Sequence, residues 1–230
     1  MRRSILGGMV LYGVLSVLSP TAGVIAADSV KLPPPSYKGT VSVESAMGSI
    51  KSVRNFTAAP LNLQQISQLL WAANGSLPAD AVSGATTKVT PSAGGLYPIE
   101  IFLLTGTDTV EGLPAGTYLY KPETNALVVV ETGDKRNLLA YASLSQMWIA
   151  RAPATIVIAG AFSRTTSKYA QRGIQYVFIE AGNSNQNICL QAAALKLGVG
   201  TVGAFNDAQV SAVLKLPDDI KPLLVVPVGK

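Results

Sequence analysis

The chain has 230 residues, 48% of them hydrophobic and 13% charged, with a formal net charge of +5, a length and composition that support one sizeable core and exclude a disordered chain. It contains no histidine and a single cysteine, Cys189. That excludes Ser-His-Asp and Cys-His catalysis, histidine- or cysteine-rich zinc sites and an intramolecular disulfide.

Residues 1–27 have the three-part layout of a secretory signal peptide: Arg2-Arg3, an apolar stretch from Ile5 to Leu18, and small residues around Ala26-Ala27. A retained anchor is disfavoured because Ser16, Ser19 and Pro20 break up the apolar run. Arg2-Arg3-Ser4-Ile5-Leu6 fits either a twin-arginine signal core or an ordinary basic start. Cleavage on either side of Ala27 would take two arginines from the +5 and leave +3. The mature protein is thus expected outside the cytoplasm, touching the membrane only through its transient leader. A charge that mild, with no long basic run, does not indicate a nucleic-acid partner.

Residues 28–40 read as a linker or a strap over the body, because Pro33-Pro34-Pro35 cannot be helix interior. Residues 41–230 read as one domain. Glu44 to Ser52 carries a weak helical pattern. Asn62 caps a clearer helix with Leu63, Ile66, Leu69, Leu70 and Ala73 on one face and Gly75 as a left-handed exit. Ile99 to Thr105 is a strand; Thr117 to Tyr120 and Ala126 to Val130 form a hairpin around a Lys-Pro-Glu-Thr-Asn turn. A helix from Leu138 to Ile149, a buried strand from Ala154 to Ala159 and a long helix from Ile174 to Leu197, ended by Gly198, come next. Thr201 to Phe205 reads as a short strand, Asp207 to Leu214 as a helix and Leu223 to Val228 as a last strand. Hairpins mixed with helices predict an α+β fold with a mixed sheet flanked by helices.

Gly198-Val199-Gly200-Thr201-Val202-Gly203 matches the spacing of a dinucleotide loop. That loop needs a strand before it and a helix after it, so that phosphate meets free amides. Here the order is inverted, and a Rossmann site is rejected. Four further segments carry candidate chemistry. Ser52 and Arg54, with Lys51 beside them, can face one anion. Pro91-Ser92-Ala93-Gly94-Gly95-Leu96-Tyr97-Pro98 has the small residues that let backbone approach a planar ligand. Lys168 and Tyr169 are adjacent proton-transfer groups. Asn183, Asn185, Gln186 and Asn187 form a polar cluster on an otherwise apolar helix, suited to backbone satisfaction or to a subunit contact.

In chain order, Ile50-Lys51-Ser52-Val53-Arg54-Asn55-Phe56, the helix from Leu61 to Gly75, the Pro91–Pro98 loop, Lys168-Tyr169, Glu180-Ala181-Gly182 with Gln186-Asn187, and Gly198 to Phe205 resemble the nitroreductase superfamily. Within it they resemble the SagB-type, azoline-oxidising dehydrogenases. The resemblance spans about Leu32 to Gly229. It implies a nitroreductase-like fold with FMN at a homodimer interface. Lys51, Ser52 and Arg54 would contact the phosphate and the pyrimidine side. Pro91, Ser92, Ala93 and Gly94 would lie along the cofactor, partly from the neighbouring subunit, and Gly203 and Ala204 would approach the N5 edge. Lys168 and Tyr169 would be the catalytic pair; no metal is implied. Two departures imply a weaker hold on FMN. Ile50 stands where the family has its first arginine, and the chain ends at Lys230, where many members continue into a basic tail. The expected function is that of an exported FMN-dependent oxidoreductase passing hydride through flavin N5 to or from a small-molecule or peptide substrate. The alternative is a non-catalytic flavin-binding or scaffold protein that retains the fold.

Overall fold

The structure, a computed structural model, describes residues 29–79 and 86–230, so the expected leader lies outside the described residues. At its centre is strand β5 (Ala154–Ala161), buried at all eight positions. An unbroken apolar run is what a strand covered on both faces requires. On one side β5 pairs with β2 (Ile99–Thr105), followed outward by the hairpin β3 (Gly116–Lys121) and β4 (Ala126–Thr132), and by the short edge strand β1 (Ser29–Lys31). On the other side lie β7 (Ile220–Gly229) and the two-residue β6 (Gly198–Val199), giving the order β1-β4-β3-β2-β5-β7-β6. The six strand pairs are antiparallel. A parallel bridge from Ser52 to Val199 at the outer edge makes the sheet mixed.

Alternation along the strands divides the core in two. Ile101, Leu103, Ile156 and Ile158 point to the face covered by α2 (Leu63–Asn74) and α6 (Arg172–Ala194). Phe102, Leu104, Val157 and Ala159 point to the other face, against α3 (Arg136–Ala142), α4 (Trp148–Arg151) and α7 (Asp207–Leu214). The remaining helices, α1 (Val43–Ser49) and α5 (Phe162–Tyr169), both pack on α6. This is the α+β architecture expected, a sheet flanked by seven helices.

The proline-rich segment runs along α2. Prolines have no N–H to give, so their carbonyls collect side-chain donors. Pro33 O accepts from Ser67 Oγ at 2.5 Å and from Asn125 Nδ2 at 2.9 Å, and Ser36 exchanges two hydrogen bonds with Gln68 at 2.8 and 3.0 Å.

Several local expectations are corrected. Gly75 has φ −66°, not a left-handed conformation; it is glycine because a side chain there would strike Trp71. The helix expected from Leu138 to Ile149 is two helices, broken by Leu144 and Ser145 at φ 56° and 58°. Leu139 and Ile149 bury in the same core, so the apolar pattern runs across a break it cannot reveal. Lys168 and Tyr169, assigned to no element from the sequence, end the helix α5, which buries only Thr165 and so shows no apolar pattern. Helix α6 stops at Ala194, and Lys196, at φ 58°, makes the left-handed exit expected of Gly198, which lies in β6. The strand expected from Thr201 to Phe205 is a single bridge, Val202 to Val225.

Candidate active site

The segment after α1 is stitched to the sheet edge. Val53 N donates to Val199 O at 2.8 Å beside the Ser52–Val199 bridge. The approach depends on Gly200, where an added methyl would stand 2.5 Å from Val53 O and 2.6 Å from the Trp148 ring. Behind Ser52 opens a cavity of about 430 Å³ lined by Lys51, Ser52, Cys189, Lys196, Thr201 and Lys230, among others, and by no acid. The Lys51 and Lys196 side chains and the Ser52 hydroxyl, with no acidic side chain among the lining residues, suit an anion. Lys230 also lines the cavity, but its ammonium donates to Pro60 O at 3.4 Å, outside the lining, and its backbone oxygen accepts from Thr57 N at 2.7 Å. Ile50 also lines the cavity, where an arginine would add a further cation. Burial pushes the Cys189 thiol up, against the opposing pull of the Thr201 hydroxyl, so it offers no thiolate nucleophile.

Arg54 is exposed, its guanidinium 5.9 Å from the centre of the Trp148 ring, which in turn stacks on Phe56 at 6.4 Å. Gly203 and Ala204 are exposed too, and Gln146 Nε2 donates to Ala204 O at 3.1 Å. Arg54 and the Gly203-Ala204 backbone therefore flank one stretch, Gln146 to Trp148.

The second group lies around the Pro91–Pro98 loop. Ser92 Oγ accepts from Tyr97 N at 2.8 Å and closes the loop over a 3-10 turn, Ala93–Gly95. Gly94 has φ +63°, a conformation costly for any side chain. A methyl there would also lie 2.5 Å from Tyr169 Oη and 2.9 Å from Lys168 Nζ. The loop and the Lys-Tyr pair, far apart in sequence, are thus in contact. Tyr169 is half-buried, edge-on to Tyr176 at 5.1 Å, while Lys168 is exposed with its ammonium 5.4 Å from the Tyr169 ring centre. Between α5 and α6, Ala170 takes φ 47° and ψ −138°, a sparsely populated conformation. Strain of this kind persists only where packing enforces it. Arg164 donates to Tyr97 O at 3.0 Å and pairs with Glu100, tying α5 to the start of β2.

These two groups sit at opposite ends of β5. Pro98 O accepts from Ala161 N at one end, whereas Val199 pairs with Val228, which pairs with Ala154, at the other. Seven residues of strand put about 24 Å between the two ends. One chain does not bring Lys51, Ser52 and Arg54 together with Gly94, Lys168 and Tyr169.

Sequence reasoning missed two contributors. Lys196 joins the cation cavity only because α6 ends a turn earlier than its apolar pattern suggests. Glu180 is 2% exposed and neither carboxyl oxygen has a hydrogen-bond partner. Its position was readable: the buried residues of α6 include Val177, Glu180, Ala181, Ser184 and Ile188, a helical stripe in which it is the one acid. The amide cluster resolves in part, since Asn185 accepts from Thr201 Oγ1 at 3.0 Å and Asn187 donates to Thr90 Oγ1 at 3.3 Å. Those two amides are satisfied within the chain.

A sheet of this order with such a loop and cavity defines a known class. The profile of the nitroreductase family matches residues 50–230, and the chain belongs to that family of oxidoreductases. It is 37% identical over 190 residues to a protein of Methanocaldococcus jannaschii described as a nitroreductase, covering 83% of this chain and 91% of that one. It is 31% identical over 148 residues to the microcin B17-processing protein McbC of Escherichia coli, covering 62% of this chain and 54% of that one. Among solved structures, one from Ralstonia eutropha, also described as a nitroreductase, superposes with a TM-score of 0.74 at 26% identity, covering 96% of this chain and 98% of that one.

Proposed function

We propose that the chain is an FMN-dependent oxidoreductase of the SagB-type branch that works as a homodimer outside the cytoplasm, on a small-molecule or peptide substrate. The observation that carries this reading is the cavity, free of acidic side chains, where Lys51, Ser52 and Lys196 meet beside Arg54 and the exposed Gly203-Ala204 backbone. This donor set fits FMN. The lysines and Ser52 would hold the phosphate dianion, Arg54 the pyrimidine edge, and the Gly203-Ala204 peptides the ring edge, where charge grows on reduction. Lys196 would offset the cation lost at Ile50.

Bound FMN would supply the two-electron acceptor or donor for hydride. The chain would handle the accompanying proton. Tyr169, half-buried on Gly94 with the Lys168 ammonium near its ring, would give or take it. Because this pair and the cation cavity are tied to opposite ends of β5, a second copy would bring its own loop and Lys-Tyr pair to the first copy's cofactor. The exposed face of α6 suits such a partner: Phe178 and Ile179 are 54% and 57% exposed, and beside them Gly182 has open space around it. A peptide substrate is favoured by the likeness to McbC, which is a microcin B17-processing protein. Export rests on the leader-like residues 1–27. The test is reconstitution of the purified protein with FMN, followed by its visible spectrum and by identification of the flavin released on denaturation. Stoichiometric FMN supports the proposal; FAD, or no bound flavin, overturns it.

A further inference from the structure

Helix α3 ends in a backbone that most residues avoid. Ser143 N donates to Leu139 O at 2.9 Å and closes the last turn, after which Leu144 and Ser145 take φ of 56° and 58°. Two successive non-glycine residues in the left-handed region persist only where their surroundings enforce them. The reversal folds Gln146 back onto the helix end, where Ser143 O accepts from Gln146 N at 3.2 Å and from its Nε2 at 3.0 Å. The same Nε2 also donates to Ala204 O at 3.1 Å, 58 residues away in sequence. Both acceptors are carbonyl oxygens, so only the NH2 end of an amide can face them; an ionised glutamate, which has lone pairs alone, would repel both.

Ala204 lies in the segment that the functional reading sets against the flavin ring edge. The two ends of this segment are pinned. Val202 exchanges both backbone hydrogen bonds with Val225, at 2.8 and 2.9 Å, and Asn206 N donates to Ala142 O at 2.9 Å. Between them, the N–H groups of Gly203, Ala204 and Phe205 find no backbone acceptor among the described residues. Gly203 and Ala204 are exposed and Phe205 is half-buried. A trans peptide points its C=O and its N–H in opposite directions, and no peptide bond among the described residues is cis. With Val202 O held by Val225 N, the Gly203 N–H is turned away from β7. With Ala204 O held by Gln146, the Phe205 N–H is turned away from that side chain. The first direction is set by the sheet, the second by one side chain.

We propose that Gln146 is a positioning residue for the flavin: by holding Ala204 O it fixes the Ala204–Phe205 peptide with the Phe205 N–H outward, as a preset donor to the ring edge where negative charge grows on reduction. A donor fixed before the reaction needs no reorganisation during it. Two residues further on, the Trp148 ring lies 5.9 Å from the Arg54 guanidinium, so the same turn braces both segments assigned to the ring.

The redox consequence rests on the FMN reading; the peptide orientation does not. The test compares wild type, Gln146→Glu and Gln146→Ala in two measurements. The first is the crystal structure of the flavin-free chain at pH 8. Wild type should keep Ala204 O on Gln146; the carboxylate of Gln146→Glu should expel the carbonyl and turn the peptide, and in Gln146→Ala the peptide should lose its single orientation. The second is the affinity for oxidised and for reduced FMN. Losing a donor to the growing charge should weaken reduced FMN about tenfold more than oxidised FMN, a fall of about 30 mV in the two-electron potential. A purely structural role would lower both affinities together. Gln146→Ala, which only removes the donor, decides the matter where the carboxylate prevents folding. A peptide oriented as in wild type in the variants that fold, or an equal loss of affinity for the two forms of FMN, overturns the inference. Wild type that binds no FMN overturns the functional reading instead, and the peptide orientation then decides whether Gln146 holds Ala204.

Discussion

Gly94 is the residue on which the second half of the site turns. Its φ of +63° would cost a side chain about 1–2 kcal/mol, and a methyl there would displace Tyr169 Oη and Lys168 Nζ. Gly94→Ala should therefore lose about 1–2 kcal/mol in urea unfolding and most of its turnover; undiminished turnover would show that the pair need not rest on the loop. Lys168→Ala or Tyr169→Phe should lower substrate oxidation by roughly a hundredfold, the scale of a lost general base. The FMN content should be unchanged, because neither residue lines the cavity that would hold the phosphate. Wild-type rates of flavin bleaching with every active donor would make the pair structural. Glu180 adds a pH dependence of known sign. Its folded value of about 7 lies above the 4.5 of a free carboxyl, so the folded chain binds more protons between those values. Its contribution to stability is fully present below about pH 4.5 and is lost as pH rises towards 7. Thermal midpoints of Glu180→Gln and wild type should thus diverge as pH rises from 5 to 7.5, the glutamine variant becoming the more stable; parallel curves would contradict it.

At the scale of elements, α2 shows how local chemistry is written plainly in the chain. Asn62 accepts from Gln65 N at 2.9 Å and Gln65 Oε1 accepts from Asn62 N at 3.0 Å, a reciprocal capping box. Asn62→Ala should cost about 1 kcal/mol in denaturant unfolding and leave FMN affinity unchanged, since α2 takes no part in the cation cavity; a large loss of flavin would tie the helix start to the site. The edge formed by residues 52–54 and β6 behaves differently. A methyl at Gly200 would meet backbone at 2.5 Å and the Trp148 ring, neither of which yields easily. Gly200→Ala should cost about 1–3 kcal/mol as overpacking and also weaken FMN, because it pries Ser52 and Arg54 from the sheet edge.

For the whole molecule, the separation of the two residue groups along β5 makes a distinctive demand on assembly. If each site joins the cation cavity of one copy to the Lys-Tyr pair of the other, two inactive variants should rescue one another. Unfolded together and refolded, Arg54→Ala and Lys168→Ala subunits should form heterodimers in about half the population, each with one intact site. About a quarter of wild-type turnover should return; no recovery in heterodimers confirmed by mass would mean that each chain works alone. Sedimentation of flavin-loaded protein at micromolar concentration gives the simpler check, a dimer mass.

The sequence by itself determined the class of fold and most of its parts. Strand β2 and helix α7 have the bounds the pattern predicts, because their periodicity and caps are local signals. It also placed Ser52 and Arg54, and Lys168 and Tyr169, in separate stretches with an anion-binding and a proton-transfer character. What tertiary structure alone decided are contacts between distant stretches. The break between α3 and α4 is hidden because both halves feed one core. Helix α5 is hidden because it buries little beyond Thr165. The seating of Gly94 on Tyr169 and the arrival of Lys196 beside Lys51 have no local signature. They follow from the order in which β5, β7 and α6 pack, and packing order is a property of the whole chain rather than of any window along it.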